Sequence, residues 1–159
     1  MPKSEKLKEA IEIFGEDLIN IAANMIKNEP KVNTGRLKGS LESRVLDTAF
    51  GTSYTLLVLA EDYFIYVDKG RKAGSKMPPL EPIRQWCRDR EIPISAAYPI
   101  AKKIAEEGIP ATNISSRMLK KALSDAAYRR LEDGVEDYVD DLILENFKGL
   151  SKKGNITFK

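Results

Sequence analysis

The chain has 159 residues, of which 42 % are apolar and 31 % charged, with 26 basic against 24 acidic side chains. That length suits one domain able to bury about 68 to 70 % of its unfolded surface without staples, and the composition reads as soluble and globular. Cys87 is the single cysteine and histidine is lacking, which excludes an internal disulfide framework and the usual zinc ligand sets and points to synthesis in a reducing cytoplasm.

Charge is divided along the chain. Residues 1–68 hold 8 basic and 11 acidic side chains, residues 69–130 hold 14 and 6, and residues 131–159 hold 4 and 7. A basic block of this kind suits a phosphate backbone. It equally suits complementary packing between copies of one subunit, or solvated helix faces. Met1 to Lys8 is polar and lysine-rich, and no eighteen apolar residues run together, so neither a signal sequence nor a membrane span is expected.

Leu7, Ile11, Phe14, Leu18, Ile21 and Met25 recur at spacings of four and three, which predicts a helix from about Glu5 to Asn28, stopped by Pro30. Ile13 and Ile19 lie off that stripe and suggest a second contact face. The segment Asn33-Thr34-Gly35-Arg36-Leu37-Lys38-Gly39-Ser40-Leu41 follows a polar turn. Thr34 is placed to cap a short turn, Gly35 to take a positive φ and Arg36 to offer a bidentate fork to a carboxylate or to carbonyls. Leu37 and Leu41 are placed to anchor inward. A β-hairpin is predicted from Glu42–Phe50 and Tyr54–Ala60, turning at Gly51-Thr52-Ser53. Both alternating sets of its second strand are largely apolar, so cover on both faces is expected, by helix on one and by helix or a partner on the other. Tyr63–Val67 reads as a strand or a helical turn, ending at Asp68-Lys69-Gly70, with Tyr66 and Val67 packing on the hairpin.

Residues 70–79 carry two glycines and two prolines, and Lys69, Arg71, Lys72 and Lys76 make them basic; an exposed loop is predicted. From Leu80 a short helix turns Ile83, Trp86 and Cys87 inward and ends before Ile92-Pro93. Ser95 is placed to cap the next helix, which passes Ile100 and Ile104 and stops at Gly108. Thr112, Ser115 and Ser116 offer caps for one last helix through Leu119, Leu123, Leu131, Val135, Tyr138, Leu142 and Ile143 to about Asn146, with a bend at Gly134. The resulting organisation is one domain over residues 1–147, with residues 148–159 as a flexible tail. That tail contains Ile156-Thr157-Phe158 and could add a strand to a sheet in an assembly.

Chemistry is hard to place on this chain. Without an imidazole, acid-base and nucleophilic work would fall to carboxylates, lysine, tyrosine or Cys87, and Cys87 beside Trp86 reads as a small buried hydrophobe. The run Glu132, Asp133, Glu136, Asp137, Asp140, Asp141, Glu145 reads as the solvated face of the last helix rather than a cation site. Gly70-Arg71-Lys72-Ala73-Gly74-Ser75-Lys76 lacks the spacing of a phosphate-binding loop. No enzyme, cofactor or metal centre is expected.

The order of a long amphipathic helix, the Thr34-Gly35-Arg36-Leu37 segment with Ser40 after it, a hairpin, and Tyr63-Phe64-Ile65-Tyr66-Val67-Asp68-Lys69-Gly70 resembles the tail-completion and head-tail joining (neck) family of tailed bacteriophages. Gly108-Ile109-Pro110, then Met118, Leu119 and Ala122, is similar to that family's later segment, without its aromatic residue. The resemblance covers about residues 5–125. Residues 71–110 look like an insertion seen in some relatives, and the C-terminal extension has no counterpart. On this resemblance the motif residues are Thr34, Gly35, Arg36, Leu37, Ser40, Tyr63, Tyr66, Val67 and Gly70. It implies an α+β fold, a small antiparallel sheet with a long N-terminal helix and a helical C-terminal half. It also implies a non-enzymatic virion subunit, assembled in the host cytoplasm as a homomeric ring. The implied partners are other copies and neighbouring connector or tail proteins, with non-specific contact to passing DNA and none to membrane. Lys69, Arg71, Lys72 and Lys76 are the residues expected to face that DNA or an acidic neighbour. The competing expectation is a small DNA-binding module that uses the Ala96–Glu107 helix and the basic block.

Overall fold

Local periodicity and turn chemistry produce the elements in the computed structural model, which describes residues 3–29, 34–47 and 53–153. Pro30 as a helix stop, Asn33, the Gly51-Thr52 turn and the strand-forming end of the tail lie outside the described residues, as does the Thr34 side chain with its expected cap. Helix α1 spans Lys3–Asn28, α2 Thr34–Ser40, strand β1 Glu42–Asp47 and β2 Tyr54–Leu59, and α3 spans Phe64–Lys69. Then come α4 (Leu80–Asp89), a 3-10 turn (Ile94–Ala96), α5 (Ala97–Glu107), α6 (Ile114–Leu123) and α7 (Ala126–Lys153). The fold is α+β: a long N-terminal helix, a two-stranded antiparallel sheet and a helical C-terminal half.

The chain packs as two compact units. The first comprises Met1–Ile21, Glu42–Leu59 and Leu119–Lys159; the second comprises Ala22–Leu41 and Ala60–Met118. Each is assembled from separated stretches, and the divisions at 21/22 and 118/119 fall within α1 and α6, so no linker composition marks them.

In the first unit, α1 lies between the hairpin and α7. A Cβ built on Gly15 would stand 2.8 Å from Leu56 Cδ1 and 3.0 Å from Ser43 Cβ, so the missing side chain lets the helix sit directly on the sheet. On α7, a Cβ at Gly134 would lie 2.5 Å from Ala10 Cβ. Gly134 therefore marks the closest approach of α7 to α1 within a helix assigned continuously from Ala126 to Lys153, rather than a break. Asp17 pairs with Arg130 at 2.6 Å and Lys6 with Asp141 at 3.7 Å, so rising numbers on α1 meet falling numbers on α7 and the two helices run antiparallel. Phe14 and Leu18 of α1 are buried, as are Ala122 and Ala127.

The hairpin pairs Glu42 with Leu59 through Asp47 with Tyr54. Alternation places Ser43, Val45, Leu56 and Val58 on the face that meets α1, and Leu46, Leu57 and Leu59 on the other. Helix α1 lies on the first face, and on the other, where a helix or a partner is expected, Leu46 and Leu59 are exposed.

The second unit has two apolar clusters. Ile26, Leu37 and Ile114 are fully buried, with Met25, Leu41, Tyr63, Phe64 and Val67 packed on them. Ile26 is one residue off the predicted α1 stripe, next to its last member Met25. The other cluster joins α4 to α5 through Ile83, Cys87, Ala97 and Ala101, flanked by Leu80, Trp86, Ile92, Ile100 and Ile104.

Three helix boundaries differ from the sequence reading. Ser95 lies inside the 3-10 turn and α5 starts without a side-chain cap. The single last helix is two helices, because Ser124 Oγ donates to the Lys121 carbonyl while Asp125 Oδ1 accepts the Ala126 N–H, and both bonds divert the backbone ladder. Helix α7 runs on to Lys153, past the predicted end near Asn146 and into the segment read as a tail.

Candidate functional site

Both motifs fall in the second unit, and the structure brings most of their residues together. Thr34-Gly35-Arg36-Leu37-Lys38-Gly39-Ser40 forms α2, a helix of two turns where a short turn is expected. Gly35 is helical, not at positive φ as expected; among the described glycines, Gly70, Gly74 and Gly108 hold that conformation. Leu37 points into the Ile26–Ile114 cluster. Arg36, on the other side of α2, donates from Nε to Glu61 Oε1 at 3.2 Å and lies 3.9 Å from Asp89 Oδ2. The hydrogen bond to Glu61 and its charge hold the Arg36 pKa above its ordinary value. Ser40 closes the helix end: its Oγ donates to the Leu37 carbonyl at 2.8 Å and accepts the Glu61 N–H at 3.1 Å.

The second motif forms α3. Tyr63 and Val67 pack on the cluster that holds Leu37. Burial pushes the Tyr63 phenol up, Glu61 adds to the shift, and Arg36 opposes it. Tyr66, expected to pack on the hairpin with Val67, is exposed instead, and the Arg71 guanidinium lies 5.1 Å from its ring centre.

Asp68 between them is the buried charged side chain among the described residues, only 3 % exposed. Its Oδ1 accepts the Ser115 N–H at 2.8 Å, its Oδ2 accepts the Ser115 hydroxyl at 2.5 Å, and Lys69 Nζ stands 3.4 Å away. Burial drives its pKa upward, but the two Ser115 bonds and the Lys69 ammonium outweigh burial and hold it below the ordinary carboxylate value. The same segment is tied by its backbone, since the Val67 carbonyl accepts from Thr112 N and Oγ1 and the Asp68 carbonyl accepts from Asn113 N. Thr112, expected as a helix cap, is used for this instead. Asp68 stood in the sequence inside the Tyr63–Gly70 segment and Ser115 as a candidate cap of the last helix, but nothing local marks the two as partners.

Gly70 turns the chain at φ 68° and ψ −170°, a region open essentially to glycine alone. Directly after it, Arg71 and Ile109 exchange both backbone hydrogen bonds, at 2.8 and 2.9 Å. Residues 71–110, read as an insertion, thus leave and rejoin the fold at one bridge.

The basic loop is more ordered in role than its composition suggests. Arg71 is half-buried and does not share the exposure expected of all four cations: besides the Tyr66 ring, its NH2 group donates to the Lys76 carbonyl at 2.5 Å, while its Nε is buried without a hydrogen-bond partner. Arg71 closes the loop on itself because its long stem lets the guanidinium reach ring and carbonyl together. Lys69, Lys72 and Lys76 are exposed. Among the described residues neither Lys72 nor Lys76 has a carboxylate within 4.0 Å. On α5, the helix of the DNA-binding alternative, Lys102 and Lys103 pair with Glu106 and Glu107 at 3.9 and 3.8 Å.

Among the described residues no three His, Cys, Asp or Glu side chains gather to hold a metal ion, and no helix is long and apolar enough to cross a membrane. Comparison with family models, with curated proteins and with solved structures finds no match.

Proposed function

We propose that the chain is a non-enzymatic structural subunit of a homomeric ring at the head-tail junction or top of the tail of a tailed-phage virion, joining virion components around the DNA path. One observation carries this reading beyond short motif matches. The two motifs meet through Leu37 against Tyr63 and Val67, and the first is also tied to Glu61, two residues before the second, through the Ser40 hydroxyl to the Glu61 N–H and through Arg36 to the Glu61 carboxylate. Residues that co-occur in a family motif for a folding reason are expected to meet in this way, and their contacts are packing and capping contacts rather than chemistry. The subunit works by adhesion, to further copies in the ring and to neighbouring connector or tail proteins. Lys69, Lys72 and Lys76, repeated around the ring, present a positive band to DNA or to an acidic neighbour. Assembly takes place in the host bacterial cytoplasm and the subunit stays in the virion.

Electron microscopy of the purified chain and of virions carrying a tagged copy tests the reading. Closed rings, and the tag at the neck, are the expected result. A monomer or dimer whose DNA affinity falls steeply with salt would favour the binding-module alternative, because phosphate contacts release counterions in proportion to their number.

A further inference from the structure

Two exposed helix faces in the first unit carry the same pattern with opposite charge. On α7, Val135, Val139 and Ile143 recur every four residues and are 40 to 47 % exposed. Glu132, Glu136 and Asp140 each precede one of them by three residues and are exposed, so an acidic row runs beside an apolar row on one helix surface. On α6, Leu119 and Leu123 are 47 and 49 % exposed. Lys120 precedes Leu123 by the same three residues, with Lys121 next to it, and both lysines are exposed. Among the described residues none of Glu132, Glu136, Asp140, Lys120 and Lys121 takes part in an ion pair within 4.0 Å. Contiguous exposed apolar side chains rimmed by charge mark contact surfaces rather than ordinary solvent faces.

We propose that these faces are the two halves of one contact between copies of this chain: the apolar and acidic face of α7 in one copy receives the apolar and basic face of α6 in the next. Charge selects this pairing. Placing α7 against α7 would oppose two carboxylate rows and α6 against α6 two lysine pairs, whereas α6 against α7 sets Leu beside Val and Ile and Lys beside Glu and Asp. The contact is heterologous, so every open assembly keeps one α6 face free at one end and one α7 face free at the other, and growth continues until a rotation closes it. The proposal deepens the ring reading and rests on it for closure alone.

Sedimentation velocity on the full chain tests it with two charge-reversed variants. One is Glu132→Lys with Glu136→Lys and Asp140→Lys; the other is Lys120→Glu with Lys121→Glu. Wild type is expected to assemble, and each variant alone to sediment as a monomer with unchanged helical circular dichroism. An equimolar mixture should regain assembly, because the reversed α7 of one variant fits the reversed α6 of the other while their native faces also fit. A Leu123→Cys, Val139→Cys chain should form disulfide-linked ladders under oxidation, which reads the contact without altering charge. Wild type that stays monomeric at every concentration, either variant assembling like wild type, a mixture that stays monomeric, or no ladder would each overturn the proposal. Closed rings formed by both variants would remove this contact and leave the ring reading standing. Open filaments of wild type with the mixing rescue intact would do the reverse.

Discussion

Gly70 and Gly108 each precede one partner of the antiparallel Arg71–Ile109 bridge, and each lacks the Cβ that would strike the opposite segment. A Cβ at Gly70 would collide with the Ile109 carbonyl oxygen, and one at Gly108 with the Arg71 carbonyl oxygen. Both hold positive φ, 68° and 76°. Two glycines thus permit one short backbone contact, and neither can relax without separating the pair.

Gly70→Ala and Gly108→Ala are each expected to cost about 1–3 kcal/mol for the backbone conformation alone, with the collision added. Gly39→Ala, where no atom lies within 4 Å, should stay within about 1 kcal/mol of wild type. Thermal unfolding of the three variants checks this, and equal melting temperatures for Gly108→Ala and Gly39→Ala would contradict it.

Asp68→Ala strands the Ser115 N–H and hydroxyl and is expected to cost about 1–3 kcal/mol in urea unfolding at pH 7. The sign of its pH dependence follows from a folded pKa below the ordinary value. The stabilisation is complete above the unfolded carboxylate pKa of about 3.9 and is lost as pH falls through the lower folded value. The gap between wild type and Asp68→Ala should therefore be constant from pH 7 to about 5 and narrow below about pH 4. A gap that widens in acid would show that Asp68 is not the group titrating.

Ala10 and Gly134 form a size-matched pair between α1 and α7. Gly134→Ala is expected to destabilise by about 1–3 kcal/mol through overpacking. Adding Ala10→Gly should restore most of the packing loss, a coupling that a double-mutant cycle reads directly. Additive effects of the two changes would mean the helices do not touch there.

Arg71→Gln and the triple change Lys69→Gln, Lys72→Gln, Lys76→Gln should separate a folding role from a surface role. Arg71→Gln loses the ring contact, about 0.5–1 kcal/mol at a partly exposed site, and should speed proteolysis within residues 70–79. The triple change should leave stability within about 0.5 kcal/mol and act on the particle. Empty heads without tails would indicate a protein joint, and normal particles with slowed DNA ejection a channel surface. Wild-type assembly and infectivity would count against both.

The sequence was most legible where an element spans several turns or carries its own punctuation. The stripe from Leu7 to Met25 and the alternation from Tyr54 to Ala60 identified α1 and β2, and Pro82, Ile83 and Cys87 placed α4 with its inward face. Helices α2 and α3, of 7 and 6 residues, are too short to show a period, so the first read as a short turn and the second stayed open between strand and helix. The break at Ser124-Asp125 was hidden because Leu119, Leu123 and Leu131 keep helical spacing across it. In the candidate site, Arg36, Leu37 and Gly70 were legible from residue type. Asp68 with Ser115, and Gly70 with Ile109, were not, because each pairing joins residues far apart in sequence and depends on where the chain returns.

The antiparallel pairing of α1 with α7 has a consequence for the order in which the protein is made. The first unit draws on Met1–Ile21 and on Leu119–Lys159, so the half of α1 that carries Ala10 emerges from the ribosome about 120 residues before Gly134 does. Chains fold from the N-terminal side as they are synthesised, at about 5–20 residues per second. The second unit can therefore form while α1's leading half waits, for roughly 6–25 s, with the hairpin against Gly15 but without α7 against Ala10. Chaperone occupancy on nascent chains should peak in that interval and fall once α7 is released.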